Sequence, residues 1–556
     1  MDIQPKYLTF ADLVSKRLFR IPEYQRAYSW KSKHREDLFD DISKLKSKPA
    51  GSTHFMATVV GLQRERETIH TDEYTRLDIV DGQQRLTTLI LLCKAIEKAL
   101  SEADKTEVAL RNEIASLLVK NEAGTLLLLQ TNHDKSTYFA NYLWNGDVPD
   151  PDDAKFLADK DLATAIVECE RFVASWAPRN SLLELAKLLK NRLTFIFHEI
   201  DDESAVYTVF EVLNSRGLVV SWIDRLKSIL MGAAFELKKA NRSGVIKELH
   251  TTWREIYSVI GLRQGLSTEA LRFAATLHAD EAPSRPLGEE DSVDALRTEA
   301  SSAKGIRNVA SWLLDVTKAC DTVIENPRVN AVTRISQARL LATAIHLRSD
   351  IKPAERKALL TRWEKVSFRI YGMLGNDART RVGDYVRLAW QIMNEKPSFK
   401  EIDAAIEEIG RDFTIQDAVT NLRNTNCYEG WENEIRYLMF RYEEYLAKQQ
   451  KLNFSNEQWE KIWMVSPAES IEHIWAKSTA PEQYRHRLGN LVLLPPKLNS
   501  KLQDNRAKDK VDAYRKTGLL IAGEVADIVA ADGWGTKAIK SREEAILKWA
   551  TKEWAD

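Results

Sequence analysis

The hydrophobic pattern of the first hundred residues predicts a unit that mixes helices and strands. Apolar and β-branched residues dominate residues 55–63 and 76–82, which predicts two strands. The polar run between them is typical of a hairpin connection. Over residues 83–100 the apolar positions recur with a helical period, so a helix is predicted directly after the second strand. Its apolar stripe consists of Leu86, Leu89, Ile90, Leu92, Cys93 and Ile96.

The remainder of the chain has a mostly helical pattern. Residues 101–190 predict helices with a polar interruption at 145–153, and residues 192–200 predict a strand. A helix, a turn at 214–217 and a second helix are expected to follow. Residues 232–430 predict successive helices, and residues 431–556 predict a tryptophan-rich last unit. We therefore predict a mostly helical α+β protein with domains at 1–231, 232–430 and 431–556.

Composition and charge limit the class of protein. A chain of 556 residues is too long for one hydrophobic core. Its net charge of −1 confines any nucleic-acid contact to local basic patches. Its four cysteines form no CxxC pair, so a structural zinc knuckle is not expected. Scattered cysteines of this kind favour a reducing cytoplasm. Neither a signal peptide nor a membrane span is expected from the pattern.

The segment DGQQR separates the second predicted strand from the predicted helix. A strand-to-helix junction presents free backbone N–H groups that suit an anion, and Gly82 permits close backbone approach. Arg85 can bind a phosphate with two hydrogen bonds, and Gln83 and Gln84 can donate others. Asp81 could hold a metal ion or a ribose. In the alternative interpretation, Asp81 caps the helix and Arg85 makes a surface ion pair.

Two further segments carry polar and aromatic residues at short spacing. IPEYQRAYSW contains Tyr24, Gln25, Arg26, Tyr28 and Trp30, an aromatic and cationic cluster suited to a flipped base or an unusual phosphate. FEVLNSRGLVVSWIDRLKS places Asn214 and Arg216 at a turn before the next helix. Taken singly, the aromatic residues could be core and the turn an ordinary helix end.

Together and in this order, the three segments resemble the ParB-like N-terminal domain of GmrSD-type restriction enzymes, over residues 8–231. The resemblance implies an α/β fold related to ParB and sulfiredoxin, which binds and hydrolyses GTP, ATP or CTP. It assigns nucleotide binding to Asp81, Gly82, Gln83, Gln84, Arg85, Asn214 and Arg216. The third segment departs from the family pattern before its aspartate, and Ser221 is expected to cap the helix there.

A second group of candidate residues lies near the end of the chain. In IEHI, Glu472 precedes His473 at the end of a predicted strand, and a second strand (490–496) and a helix (497–518) follow. One-metal ββα nucleases use such an arrangement. We expect His473 to be the general base and Asn490 to hold the loop after it, with Glu472 and Asn499 binding Mg²⁺ or another divalent ion. A chance occurrence of these residues is the alternative.

Basic residues outnumber acidic ones from residue 472 to residue 516, which suits DNA phosphates. Arg487, Lys508 and Lys510 are the expected DNA contacts, and His486 is expected to face DNA or solvent. IEHI, LGNL and the following Asn and Lys resemble the HNH domain of the GmrSD family, over residues 430–545. The chain lacks the proline that commonly follows the family's His-Ile, which could alter the loop after His473.

The expected function is therefore modification-dependent (type IV) restriction in anti-phage defence. DNA, in the form of modified phage DNA, would be the partner. The N-terminal domain would control metal-dependent cleavage through its nucleotide. Two alternatives stay open: a nucleotide-switched DNA-binding regulator with a weak or inactive nuclease, and an RNase or toxin-like nuclease. The sequence leaves open the DNA mark, the nucleotide, the effect of the nucleotide on cleavage, and homo-oligomerisation.

Overall fold

A computed structural model describes most of the chain. The described residues are 5–22, 27–49, 51–69, 71–120, 127–131, 137–154, 156–178, 180–200, 221–261, 263–423, 425–454, 457–463, 465–502 and 504–555. The chain divides into two compact units: Met1–Leu271 with Glu289–Leu314, and Arg272–Gly288 with Asp315–Asp556. Residues of the predicted helical region, 232–430, contribute to both units.

Eight strands lie in the described residues. They are β1 Lys6–Thr9, β2 Arg17–Ile21, β3 His54–Ile69, β4 Asp72–Asp81, β5 Leu129–Thr131, β6 Leu193–Ile200, β7 Ile471–His473 and β8 Leu491–Leu493.

Helices make up most of the described structure, as predicted. In the first unit they are α1 Phe10–Val14, α2 Ser32–Lys46, α3 Gln83–Ala99, α4 Lys105–Leu118, α5 Tyr138–Asn145, α6 Leu157–Trp176, α7 Leu182–Arg192, α8 Trp222–Glu236, α9 Lys239–Ile260, α10 Gln264–His278 and α11 Glu289–Thr298. Two helices cross a boundary between the units: α10, and the helix that follows α11, α12 Ala303–Glu325.

The second unit continues with helices to the end of the chain. They are α13 Pro327–Val332, α14 Ser336–Leu347, α15 Pro353–Ser367, α16 Val382–Asn394, α17 Phe399–Gly410, α18 Ile415–Leu422, α19 Glu432–Gln449, α20 Glu457–Trp463, α21 Pro467–Ser470, α22 Glu482–Arg485, α23 Pro496–Leu502, α24 Ala507–Lys516, α25 Leu520–Asp532 and α26 Thr536–Glu553. Short 3-10 turns lie at Pro151–Asp153 and Leu488–Asn490, and a π-helical turn lies at Phe368–Met373.

The first unit is built on a mixed six-stranded sheet. Its strand order is β1-β6-β3-β4-β2-β5. β3 and β4 form an antiparallel hairpin, whereas β6 runs parallel to β3, and β2 runs parallel to both β4 and β5. The α+β fold class predicted from the pattern is therefore confirmed. The hairpin is longer than predicted, because β3 continues through the polar residues 64–69.

Helix α3 is the centre of the first unit. Its predicted apolar stripe is buried, but so are Leu91 and Ala95 on other faces, because α4, α6 and α7 pack around it. A helix that is apolar all round is typical of such a central position. The sequence predicts this helix well, since its start at Gln83 and its length are both as expected. The tight burial holds the first turn of α3 in a fixed position at the end of β4.

A buried carboxylate joins three neighbouring strands of the sheet. Asp78 on β4 is 1% exposed and accepts two hydrogen bonds from Arg20 on β2, at 2.7 and 2.8 Å. Arg64 on β3 donates a third, at 2.7 Å. A charge removed from water needs partners of opposite charge, and these two arginines supply them. The network fixes β2, β3 and β4 in register beside the DGQQR segment.

The second unit is helical around the short ribbon of β7 and β8. The two strands pair antiparallel, with Glu472 opposite Val492 and His473 opposite Leu491. The predicted second strand is shorter than expected, and the predicted helix 497–518 is two helices, α23 and α24. The sequence pattern places both elements correctly, but it misses the end of the strand and the break within the helix.

Three smaller sequence predictions can be compared with the structure. Ser221 caps α8, because its hydroxyl accepts the backbone N–H of Asp224. The four cysteines are buried and free. None of the helices in the described part of the chain combines the length and the apolarity needed to cross a membrane.

Candidate functional site

The junction between β4 and α3 requires a glycine for two reasons. Gly82 has φ +92°, a left-handed conformation that favours glycine, and it precedes the first residue of α3. A Cβ at this position would lie 2.9 Å from the Cγ2 of Val59 on β3. Asp81 accepts the N–H of Gly82 at 2.8 Å, and the start of α3 has no side-chain cap. This arrangement suits an anion at the helix N-terminus.

Gln84 joins the DGQQR segment to the first aromatic segment. Its side-chain oxygen accepts the N–H of Ser29 at 2.9 Å, and its amide nitrogen donates to the carbonyl oxygen of Ala27 at 3.0 Å. Tyr28, between them, shares a hydrogen bond of 2.9 Å with Thr88. One N–H of the Gln84 amide thus holds the backbone of the neighbouring segment, and the prediction that Gln84 donates to a nucleotide stays a prediction. The described part of the first aromatic segment is therefore in direct contact with the DGQQR segment.

Gln83 and Arg85 have unsatisfied polar atoms. Gln83 is 5% exposed, and its buried side-chain oxygen has no hydrogen-bond partner in the described structure. The guanidinium of Arg85 lies 5.9 Å from the ring of Trp30, and no hydrogen bond or ion pair to it is found among the described residues. Burial lowers the pKa of Arg85, and Asp81 partly offsets this. Both side chains are thus available to a ligand.

A cleft opens beside these residues. It is lined by Tyr28, Gln84, Thr87 and Asp159 on its polar side and by Ile21 and Phe139 among its apolar residues. Its volume of about 20 Å³ is enough for about one water molecule.

The remaining residues predicted for nucleotide binding and DNA-mark sensing are buried, half-buried or outside the described part of the chain. Trp30 is 5% exposed and stacks on His34, so the prediction that it senses a DNA mark is corrected: the indole is core. Tyr28 is half-buried at the cleft. Five predicted residues lie outside the described part of the chain: Tyr24, Gln25, Arg26, Asn214 and Arg216.

In the second unit, His473 lies at the end of β7 and is 8% exposed. Burial lowers the pKa of His473 to about 3, with smaller contributions from His486, Lys477 and other nearby positive groups. The imidazole is therefore neutral at physiological pH. Only the neutral form can accept a proton, and a pKa this far below neutral pH makes the imidazole a weak base.

His486 lies against His473, which the sequence analysis did not foresee. The Nε2 of His473 and the Nδ1 of His486 are 3.0 Å apart and share a hydrogen bond. We therefore correct the prediction that His486 faces DNA or solvent. The twelve residues between them fold back through α22. A second histidine upstream of LGNL was the only signal in the sequence.

Glu472 points to the opposite side of the ribbon from His473, as alternate residues of a strand do. Its carboxylate accepts from the Nζ of Lys510 at 2.6 Å and from the hydroxyl of Tyr514 at 3.1 Å. Lys510 is fully buried and also donates to the carbonyl oxygen of His473 at 2.9 Å. The DNA-contact prediction for Lys510 is therefore wrong, because a fully buried ammonium cannot reach a phosphate.

One of the two metal ligands predicted from the sequence, Glu472, is held by another side chain. The buried ammonium of Lys510 occupies the carboxylate of Glu472. Asn499 uses its amide nitrogen to bind the carbonyl oxygens of Glu469 and Ile471, at 2.8 and 3.2 Å. In the described part of the chain, no group of three or more His, Cys, Asp or Glu residues is arranged to hold a metal. We correct the assignment of Glu472 and derive no step through a metal.

Asn490 organises the loop after His473. It is fully buried, its side-chain oxygen accepts the N–H of Trp475 at 2.8 Å, and its amide nitrogen donates to the carbonyl oxygen of Trp475 at 3.1 Å. The same amide donates to the carbonyl oxygen of Arg485 at 3.0 Å. These are the backbone contacts predicted for Asn490. They connect Asn490 to the backbone next to both histidines.

The remaining basic residues separate into buried and exposed ones. Arg487 binds Glu543 through two nitrogens, one at 2.8 Å, and its side chain is 11% exposed, so its DNA-contact prediction is corrected. Lys508 is exposed, as predicted. Other exposed basic residues of this region are Lys477, Lys497, Lys501, Arg506, Arg515 and Lys516.

Two family models match the chain. The N-terminal domain of the GmrSD restriction endonuclease matches residues 10–231, and the C-terminal domain of GmrSD restriction endonucleases matches residues 413–549. The chain belongs to the GmrSD restriction endonuclease family. The first match contains the β4–α3 junction, and the second contains His473, His486 and Asn490. The comparison with curated proteins finds no match.

Membership in the GmrSD family agrees with the resemblance found in the sequence. Each matched region contains one of the two candidate sites built above, so the two sites correspond to the two domains of the family. The residues between the matches, 232–412, are helical wherever they lie in regular secondary structure in the described part of the chain. The family therefore accounts for both ends of the chain.

Proposed function

We propose that this GmrSD-family protein is a modification-dependent (type IV) restriction endonuclease of anti-phage defence. Its C-terminal unit would hydrolyse DNA through an HNH-type ββα site, and a nucleotide in its N-terminal unit, of ParB-like fold, would control that cleavage. The observation that carries the proposal is a neutral, almost buried His473 at the end of a β-ribbon, within the region matched by the family's C-terminal domain. We also propose a cytoplasmic location, which suits free thiols and a DNA substrate.

The roles in DNA hydrolysis follow from the positions of the side chains. His473 takes a proton from the attacking water, and Asn490 holds the loop that follows His473. Lys508 and the exposed basic residues near the ribbon bind the phosphate backbone without reading its sequence. Glu472 and Lys510 form the buried ion pair that fixes β7 to α24.

The role of the nucleotide rests on the β4–α3 junction. When bound, the nucleotide supplies a hydrolysable phosphate whose state can be read by the protein. The first-turn N–H groups of α3 and the guanidinium of Arg85 would bind its phosphates. Gln83, with its unpaired buried oxygen, is the group that accepts a hydrogen bond from the ligand.

A paired cleavage assay tests the proposal. Unmodified DNA and DNAs carrying hydroxymethylated cytosine, glucosylated cytosine or phosphorothioate are incubated with the full chain, with Mg²⁺, Mn²⁺ or EDTA, and with or without GTP, ATP or CTP. We expect selective cutting of one modified DNA, its loss in His473→Ala, and a changed nucleotide response in Arg85→Ala. Equal cutting by His473→Ala would refute the assignment of the general base.

One observation favours the second candidate, a nucleotide-switched DNA-binding regulator. The carboxylate beside His473 is occupied by Lys510, and the described residues provide no cluster of three metal-binding side chains of the His, Cys, Asp or Glu type. A regulator would bind DNA in a nucleotide-dependent way and cut none of the substrates under any metal condition. Nucleotide hydrolysis without any cleavage would therefore support it.

A further inference from the structure

A loop before α19 packs against the two histidines of the second unit. Residues 426–429 form this loop, and the backbone N–H of Cys427 donates to the carbonyl oxygen of His486 at 2.8 Å. The ring of Tyr428 stacks on the ring of His486, with centroids 5.1 Å apart and planes inclined by 9°. It meets His473 edge-on at 4.8 Å. The loop therefore fixes the ring plane of His486 and limits the rotation of His473.

Glu429, in the same loop, faces the other nitrogen of His486. Its Oε1 lies 3.9 Å from the Nε2 of His486. Its Oε2 accepts from the amide nitrogen of Asn426 at 3.1 Å. The groups thus form a continuous series from Asn426 through Glu429 and His486 to His473. From the sequence, Glu429 had no assigned role and His486 was expected to face DNA or solvent.

The order of these groups favours one tautomer for each of the two histidine rings. At 3.9 Å the Glu429 carboxylate is too far for a hydrogen bond, but its negative charge favours a proton on the Nε2 of His486. The Nδ1 of a neutral His486 then carries a lone pair and accepts from the Nε2–H of His473 at 3.0 Å. A neutral His473 with a proton on Nε2 has its lone pair on Nδ1. No hydrogen bond to that Nδ1 is found among the described residues.

We propose that Glu429 and His486 are positioning residues that hold His473 in the tautomer whose Nδ1 accepts the proton of the attacking water. The inference rests on the proposed function, in which His473 is the general base. It follows the same logic as other catalytic histidines, whose second nitrogen is fixed by a hydrogen-bonded partner. Tyr428 holds the ring of His486 by stacking and takes no part in the proton arrangement.

The charged groups around the two histidines also influence the protons on their rings. Lys477, Arg485 and Lys510 are the positive groups near His473, and together with burial they disfavour a second proton on its ring. Lys477 and Arg485 also lower the pKa of His486, whereas Glu429, the acidic residue facing it, raises it. His473 and His486 therefore share one hydrogen bond as two neutral rings, which is the condition that makes the tautomer depend on Glu429.

The direct test is the tautomer of His473 in solution. The full-length protein, labelled with ¹⁵N in its ten histidines, is measured by long-range ¹H–¹⁵N correlation NMR, and the His473 ring is assigned from its loss in His473→Gln. We expect Nε2 protonated and Nδ1 unprotonated in the wild type. His486→Phe, which keeps the stack on Tyr428 and removes both nitrogens, is expected to give a mixture of tautomers. Glu429→Gln is expected to shift it in the same direction.

Two variants separate positioning from simple structural support. His486→Asn retains a hydrogen-bonding atom near the place of Nδ1 and is expected to recover the wild-type tautomer. Tyr428→Phe keeps the ring contact and is expected to leave the tautomer unchanged. An unchanged His473 tautomer in both His486→Phe and Glu429→Gln would overturn the inference. So would a wild-type His473 with its proton on Nδ1.

Cleavage of a modified DNA supplies a second readout that can fail independently. On the substrate that the wild type cuts, His486→Phe is expected to lower kcat by about 10-fold or more with little change in KM, and His486→Asn to restore part of it. If His473→Ala still cuts, the proposed function fails whatever the tautomer. If the tautomer depends on His486 and Glu429 while kcat does not, the pair is structural and the inference fails.

Discussion

At the scale of single residues, Lys508 and Lys510 have opposite surroundings although only one residue separates them in α24. Lys508 is exposed, whereas Lys510 is fully buried against Glu472, Tyr514 and the carbonyl oxygen of His473. Burial raises the pKa of Glu472, while Lys510 lowers it. Glu472 and Lys510 therefore form a buried ion pair, and each side chain keeps its charge because the other is present.

Removing one member of this pair should destabilise the second unit strongly. Lys510→Met would leave Glu472 buried without its cation, which costs about 3–5 kcal/mol in comparable cases. Lys508→Met is the matched control and should change the stability little while weakening DNA binding. The check is the thermal unfolding midpoint of each variant, together with the double variant Glu472→Gln/Lys510→Met, which should recover part of the loss. Equal midpoints for Lys508→Met and Lys510→Met would contradict this account.

At the scale of secondary-structure elements, the 3-10 turn before β8 touches the last helix of the chain. A Cβ on Gly489 would lie 2.1 Å from the backbone oxygen of Ile539 in α26. Arg542 of the same helix donates to the carbonyl oxygens of Gly489 and Leu491, at 3.1 and 2.7 Å. Glycine is thus required by close packing here, and not by an unusual φ angle.

Gly489→Ala should therefore separate α26 from the turn and disturb the ribbon beside His473. We expect a clear drop in the unfolding midpoint and reduced cleavage. Gly523→Ala is the matched control: it lies in α25 where a Cβ meets nothing, so it should be neutral or stabilising by up to about 1 kcal/mol. Differential scanning calorimetry of both variants distinguishes these outcomes. A tolerated Gly489→Ala would show that the turn can move away from α26.

Glu443 links α19 to the start of α25. Its two carboxylate oxygens accept the backbone N–H groups of Leu520 and Ile521, each at 2.7 Å. Burial raises the pKa of Glu443 from 4.5 to about 7, although the two backbone donors lower it. Because the folded state holds this proton more tightly than the unfolded state, the contribution of Glu443 to stability is fully present below pH 4.5. It is lost as the pH rises through about 7.

Glu443→Gln removes this titration. Relative to the wild type, the variant should become more stable as the pH rises from 5 to 8, by about 1–3 kcal/mol in the free energy of unfolding. Urea unfolding of both proteins at several pH values measures the difference. A constant difference between them across this range would show that Glu443 has the same pKa in the folded and unfolded states.

At the scale of the whole molecule, the proposal places nucleotide binding and cleavage in different units. Control of one by the other is a coupling free energy, and coupling between two binding events is reciprocal. If a nucleotide changes the affinity for modified DNA by some factor, that DNA must change the affinity for the nucleotide by the same factor. This holds whether the nucleotide activates or restrains cleavage.

Arg85→Ala should weaken nucleotide binding by about 10-fold or more and remove the effect of nucleotide on DNA cleavage, while basal cleavage persists. Arg66→Ala is a suitable control, because Arg66 lies on β3 in an exposed pair with Glu73. Isothermal titration calorimetry with each nucleotide, with and without the modified DNA, tests both affinities. A full nucleotide response in Arg85→Ala would exclude the β4–α3 junction as the controlling site.

Local features of the sequence were sufficient to predict several parts of this protein. The period of apolar positions placed α3, β4 and β6, since alternating or helical burial is written directly into the chain. Motif order identified the family at both ends. Gly82 was recognisable because a strand-to-helix junction restricts the backbone locally.

Only the tertiary structure decided which polar residues are buried in ion pairs and hydrogen bonds and which stay exposed. Sequence spacing cannot distinguish Lys508 from Lys510, or a DNA-facing arginine from Arg487 on Glu543, because burial depends on helices that are distant in the chain. The alternation of a strand turns Glu472 away from His473, and a loop brings His486 to it across thirteen residues. Charges and hydrogen bonds act through space, so their partners are settled by packing and not by order along the chain.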